Sequence, residues 1–147
     1  MRNFSMVDIS AKNVIMREAA AVGEIKLKPT TIARLKSRKI EKGDAIAAAE
    51  VAAIMAAKST PRILPFCHSI PLMTVRTEHK INRNSVSVES YVKGEAKTGV
   101  EMEALTAAAA YLLTIWDMTK QYEKDASGQY PSTAISQLRV KWKVKGK

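Results

Sequence analysis

Asp117 and Lys120 stand three residues apart, so on a helix they share a face and a carboxylate meets an ammonium. Exposed, such a pair is a surface ion pair. Buried, it can pass a proton, the ammonium stabilising the carboxylate or an oxyanion. Lys42 directly precedes Gly43-Asp44. An ammonium beside a helix N-terminus joins free amides and the helix dipole in binding phosphate, and a solvated lysine ahead of a capped helix reads the same way. The spacing is not that of a Walker loop. His68 lies between Pro65 and Pro71, where it can act as a general acid or base, donate to an anion, or be structural. Cys67 has no second cysteine and no acidic sequence neighbour, so a buried, inert thiol is its expected state. Glu101 and Glu103 bracket Met102 at a helix start, where the dipole favours carboxylates with or without chemistry.

Regular elements must position these groups. Val22 to Lys28 alternates as a strand that Pro29 stops, and Thr30 or Thr31 can cap a short helix carrying Ile32 and Leu35. Asp44 suits the N-cap of an Ala-rich helix, Ala45 to Lys58, with Ile46, Ala49, Ala53 and Ala56 at helical spacing. Residues 59–69, with Pro61 and Pro65, read as an irregular loop presenting Cys67 and His68. Residues 70–81 and 85–93 are extended, and Asn82-Arg83-Asn84 between them predicts an antiparallel hairpin. No Pro or Gly interrupts Val100 to Tyr122, which predicts a long helix. Leu138, Val140, Trp142 and Val144 alternate with Arg139, Lys141, Lys143 and Lys145, predicting a half-buried strand with one basic face. Residues 125–132 form its connecting loop.

This order of elements fits a ferredoxin-like α+β sandwich, an antiparallel sheet covered on one face by helices. The 147 residues, 46% hydrophobic, form one domain, with residues 1–12 expected as a flexible arm. Helix geometry adds a constraint. Glu101 and Asp117 are separated by about 24 Å along the helix and lie on roughly opposite faces, as do Lys42 and Lys58 in distance if their helix is unbroken. One site using all of them must be assembled from two chains.

No stretch approaches the roughly 18 apolar residues of a membrane span, and the first residues lack the order of a secretory signal. A single cysteine excludes an internal disulfide framework, and two histidines make a zinc site unexpected. These features predict no membrane association and a cytoplasmic protein. The net charge of +10 favours an anionic partner, but only two Phe and four Tyr are present, few for stacking bases. A nucleic-acid partner is therefore not expected.

Several words in order then carry a resemblance: Met6-Val7-Asp8-Ile9-Ser10, Arg17-Glu18-Ala19, Lys42-Gly43-Asp44, Ala56-Ala57-Lys58, Pro65-Phe66-Cys67-His68, the nine residues Thr98 to Thr106, and Asp117-Met118-Thr119-Lys120. Across nearly its whole length the chain resembles the cyclic pyranopterin monophosphate synthase family of molybdenum-cofactor biosynthesis. The resemblance implies a lyase that rearranges a cyclic 3′,8-linked dihydro-GTP to cyclic pyranopterin monophosphate, pyrophosphate leaving as the cyclic phosphate closes. It implies a small-molecule GTP-derived substrate, a homohexamer built as a trimer of dimers with active sites at subunit interfaces, and no required cofactor or protein-bound metal, with Mg2+ as an optional companion of the triphosphate. Asp117 and Lys120 become the acid/base pair, assisted by Lys42 and His68. Phe66, Cys67, His68, Glu101, Met102 and Glu103 would contact the substrate, and Arg17 and Lys58 its phosphates.

The chain departs from the family pattern at Phe66, usually Leu, at Ser69, usually Pro, and at Thr119, often Cys. Its end, Val144-Lys145-Gly146-Lys147, lacks the Gly-Gly-Lys-Ser-Gly type of tail. Two rivals from other classes are a basic RNA-binding protein, opposed by the missing aromatic platform, and a non-catalytic phosphate-binding scaffold, opposed by the intact acid/base positions.

Overall fold

A computed structural model describes residues 3–146. The ends of two expectations, Met1 and Arg2 of the arm and Lys147 of the tail, lie outside the described residues. The order is β1 (Ile15–Lys26), α1 (Pro29–Lys36), α2 (Ala45–Lys58), α3 (Thr60–Ile63), β2 (Leu72–Ile81), β3 (Ser85–Ala96), α4 (Glu101–Glu123) and β4 (Ala134–Lys145). The four strands run in spatial order β2-β3-β1-β4, every neighbouring pair antiparallel. Helices α2 and α4 pack on each other and on one face of the sheet. This is the α+β sandwich expected from the element order.

β1 begins seven residues earlier than Val22. Ala19-Ala20-Ala21 has weak strand propensity, but β1 is hydrogen-bonded on both sides, and all three alanines are fully buried. Ala19 and Ala21 join the core under the helices. Ala20 pairs with Tyr91 on one side and Trp142 on the other, whose rings lie 5.9 Å apart on the uncovered face. At Gly23 a Cβ would sit 2.7 Å from Leu112 Cδ1 of α4, so a larger residue there would have to displace that buried side chain.

Neither Thr30 nor Thr31 caps α1. The N-cap is Lys28, and Pro29 takes the first helical position, where its missing N–H costs nothing. Thr31 is instead buried, its hydroxyl donating to Glu123 at the far end of α4. Asp44 does cap α2, accepting from the Ala47 amide at 3.0 Å. The buried row of α2 is Ala45, Ala49, Ala53 and Ala57, so Ile46 and Ala56 flank the seam. Residues 59–69 contain one helical turn, α3, because Pro61 fits the first turn of a helix as readily as a loop.

β4 departs furthest from expectation. It is an edge strand whose register to β1 shifts twice, between Ala20 and Ala21 and between Val22 and Glu24, with Gln137 at φ 59°. The apolar row is split between faces: Trp142 lies opposite Ala20, while Leu138 approaches Gly23 on the helical side. Leu138, Trp142 and Val144 are all exposed, and the lysines divide too, Lys141 pairing with Glu89 and Lys143 with Glu101. The half-buried strand with one basic face is thereby corrected.

Candidate active site

Helix α4 carries polar groups at both ends. At its C-terminal end Lys120 Nζ lies 2.9 Å from Asp117 Oδ1, the i,i+3 pair expected on one helix face. Lys42 joins them from the turn before α2. Its ammonium donates to the Asp117 carbonyl at 2.9 Å and lies 3.4 Å from Oδ2. Gly43, at φ +115°, makes that turn, and Asp44 caps the α2 amides, so Lys42 reaches across to α4 instead. In the single chain all three are well exposed, the Asp117 side chain at 60%. Hydrogen bonds from Lys120 and then Lys42 hold the Asp117 carboxyl below the usual aspartate range, and Asp117 raises Lys120 in return. The trio is a carboxylate base flanked by two ammonium groups.

The other end of α4 is packed more tightly. Glu101 pairs with Lys143 at 2.9 Å. Burial pushes its pKa up, but Lys143, its own backbone amide and Arg17 together bring it below the ordinary value. Glu103, two residues on, is 2% exposed. Among the described residues its Oε2 has no hydrogen-bond partner, and its Oε1 accepts from the Cys67 thiol, at 3.8 Å. Burial raises the Glu103 pKa against the pull of its backbone amide and Cys67. Cys67 is half-buried on the groove wall, not buried as expected, and desolvation and Glu103 push its thiol pKa up. Cys67 thus has an acidic neighbour in space that the sequence does not show.

A groove of about 570 Å³ opens here, lined by Phe66, Cys67, His68, Glu101 and Met102 and by Val7 and Ile9 of the arm. A second cavity of about 540 Å³ lies across His68, with Ile70, Met73 and Lys97 among its walls. Arg17 donates to the carbonyls of Ala96 and Lys97 just below the α4 N-terminus, at 3.4 and 3.3 Å. Lys58 is exposed at the end of α2.

Two groups of expected site residues are therefore gathered, and they are not joined. Lys42, Asp117 and Lys120 meet at one end of α4. Phe66, Cys67, His68, Glu101, Met102, Glu103 and Arg17 cluster at the other, about 24 Å away by helix rise. Sequence reasoning missed Lys143 as the partner of Glu101, because that contact depends on the β1–β4 register. It also missed the arm residues Val7 and Ile9 as groove walls. Among the described residues no group of three or more His, Cys, Asp or Glu is placed to hold a metal ion, and no helix is long and apolar enough to cross a membrane.

The fold and these two stations define a ferredoxin-like α+β protein that gathers carboxylates and ammonium groups at both ends of α4. More particularly, the chain belongs to the MoaC family, whose model matches residues 6–146. It is 55% identical over 140 residues to a probable cyclic pyranopterin monophosphate synthase of Sulfolobus acidocaldarius, covering 95% of this chain and 98% of that one. A relative of the same description from Saccharolobus solfataricus is 54% identical over 142 residues, 97% and 95% of the two chains. One from Aeropyrum pernix is 47% identical over 146 residues, 99% and 100%.

Proposed function

We propose that this enzyme is a cyclic pyranopterin monophosphate synthase, a lyase of molybdenum-cofactor biosynthesis. It converts the cyclic 3′,8-linked dihydro-GTP to cyclic pyranopterin monophosphate and pyrophosphate. End-to-end similarity to relatives described as probable synthases carries the reading. The residue roles rest on chemistry. Opening a purine ring and closing a pterin require repeated proton transfers, and expelling pyrophosphate requires cations at the leaving group.

Asp117, kept ionised by its two lysines, is the base. Lys120, held protonated by Asp117, stabilises developing negative charge, with Lys42 beside it. His68 assists from the groove, where Phe66, Cys67, Glu101, Met102 and Glu103 hold the ring system. Arg17 and Lys58 take the phosphates. No resident cofactor enters the scheme, and Mg2+ travels with the triphosphate when present.

The separation along α4 supports a site completed by a second copy, the Asp117 station of one chain facing the groove of another. A homohexamer built from such dimers, working in the cytoplasm, is the assembly that fits. Incubation with the cyclic dihydro-GTP, followed by mass spectrometry of pyrophosphate and pterin, tests the activity. Asp117→Asn and Lys120→Ala should fold and lose turnover by about 100-fold or more. Wild-type rates in either remove the acid/base assignment. Mixing His68→Ala with Asp117→Asn chains under exchange should restore about a quarter of the wild-type sites, since each mixed dimer has one intact site. No recovery, with exchange demonstrated, would place each site within one chain.

A further inference from the structure

Residues 3–14, the described residues before β1, contain no helix or strand, only a turn closed by the Lys12 amide on the Ile9 carbonyl at 3.0 Å. Such a segment has nothing of its own to hold it, yet it runs along the groove. Near its start the Phe4 ring lies over Phe66, centroids 6.1 Å apart and planes 10° from parallel. In the middle Asp8 accepts from the Ser10 amide at 2.8 Å, a local turn beside the Ser10 carbonyl. Lys97 Nζ donates to that carbonyl at 3.1 Å. Among the described residues this is the only hydrogen bond fastening residues 3–12 to the body of the chain. Between the two fastenings Val7 and Ile9 become walls of the groove, and Ile9 and His68 together border both cavities.

We propose that residues 4–10 are a strap across the groove and that Lys97 is the positioning residue that holds it closed over the ligand. Its ligand is the substrate named above, so in that respect the proposal rests on the synthase reading. Lys97 acts through the arm: its ammonium is engaged by a backbone carbonyl, and what meets the ligand is the apolar wall of Val7 and Ile9. Phe4 on Phe66 is the weaker fastening, because Phe4 is 79% exposed and its stacking excludes little water.

The arm can be followed without substrate, because exposed Lys12 gives trypsin a cut within it. Lys97→Met should leave the melting temperature unchanged and speed cleavage after Lys12 by about tenfold, the worth of one hydrogen bond from a charged donor. With the cyclic dihydro-GTP it should raise KM by about the same factor while kcat stays within about twofold. Lys97→Arg should restore both, and Phe4→Ala should shift both in the same direction by less. Unchanged cleavage in Lys97→Met would overturn the strap. A fall in kcat at constant KM would also overturn it, since Lys97 would then act in the chemistry itself. If the protein turned over no substrate at all, the cleavage rates would still decide whether the strap exists.

Discussion

Two glutamates on one helix are almost equally hidden from water and live in opposite circumstances. Glu123, at the last position of α4, is fully buried. It accepts from the Lys28 amide at 3.1 and 3.2 Å, from Thr133 at 2.7 Å, and from Thr31. Its carboxylate thereby ties the end of α4 to the start of α1 and to the chain entering β4. Glu103, in the first turn, has one orphaned oxygen and one thiol neighbour. A buried carboxylate with enough donors is a fastening, and one without them is a stored cost. The first kind holds a fold together. The second persists beside a groove, where a ligand can supply what the protein withholds.

Removing the fastening should have the largest effect on stability. Glu123→Ala strands three donors and should cost about 3 kcal/mol or more, read by urea denaturation; Thr31→Val, which strands one acceptor site, should cost about 1 to 2 kcal/mol. A loss below that for Glu123→Ala would erase the contrast.

Glu103→Gln should do the reverse and stabilise by about 1 kcal/mol near pH 8. The sign follows from the raised pKa. The folded state disfavours ionised Glu103, so wild-type stability is full below the ordinary glutamate value of 4.5 and declines as pH rises from there through the folded value. The advantage of the amide should therefore vanish near pH 4 and grow with pH. Destabilisation at every pH would mean that Glu103 is as well satisfied as Glu123.

How much of this was legible in the sequence depended on distance along the chain. α2 begins and ends where its cap and alanines place it, and α4 lies within one residue of its expected limits, because their signals are local. Asn82-Arg83-Asn84 marked the β2–β3 hairpin for the same reason. The alanines of β1 look unlike a strand until neighbours on both sides bury them. Thr31 looks like a cap until Glu123, far along the chain, claims its hydroxyl. The site shows the same division. The i,i+3 relation of Asp117 and Lys120 is written in their spacing, whereas the arrival of Lys42, the closeness of Cys67 to Glu103 and the pairing of Lys143 with Glu101 are products of tertiary packing.

The alanine seam of α2, Ala45, Ala49, Ala53 and Ala57, faces an α4 whose buried residues include Ala104, Ala107 and Ala108. Such a seam works as a gauge block. With no rotamers to rearrange, it sets the gap between the helices by backbone thickness alone. The loop bearing Cys67 leaves from the α2 end and Glu103 sits at the start of α4, so the same gap sets how near the thiol stands to the carboxyl. Any larger residue in the seam is a spacer, and the tolerance it consumes is that of the groove.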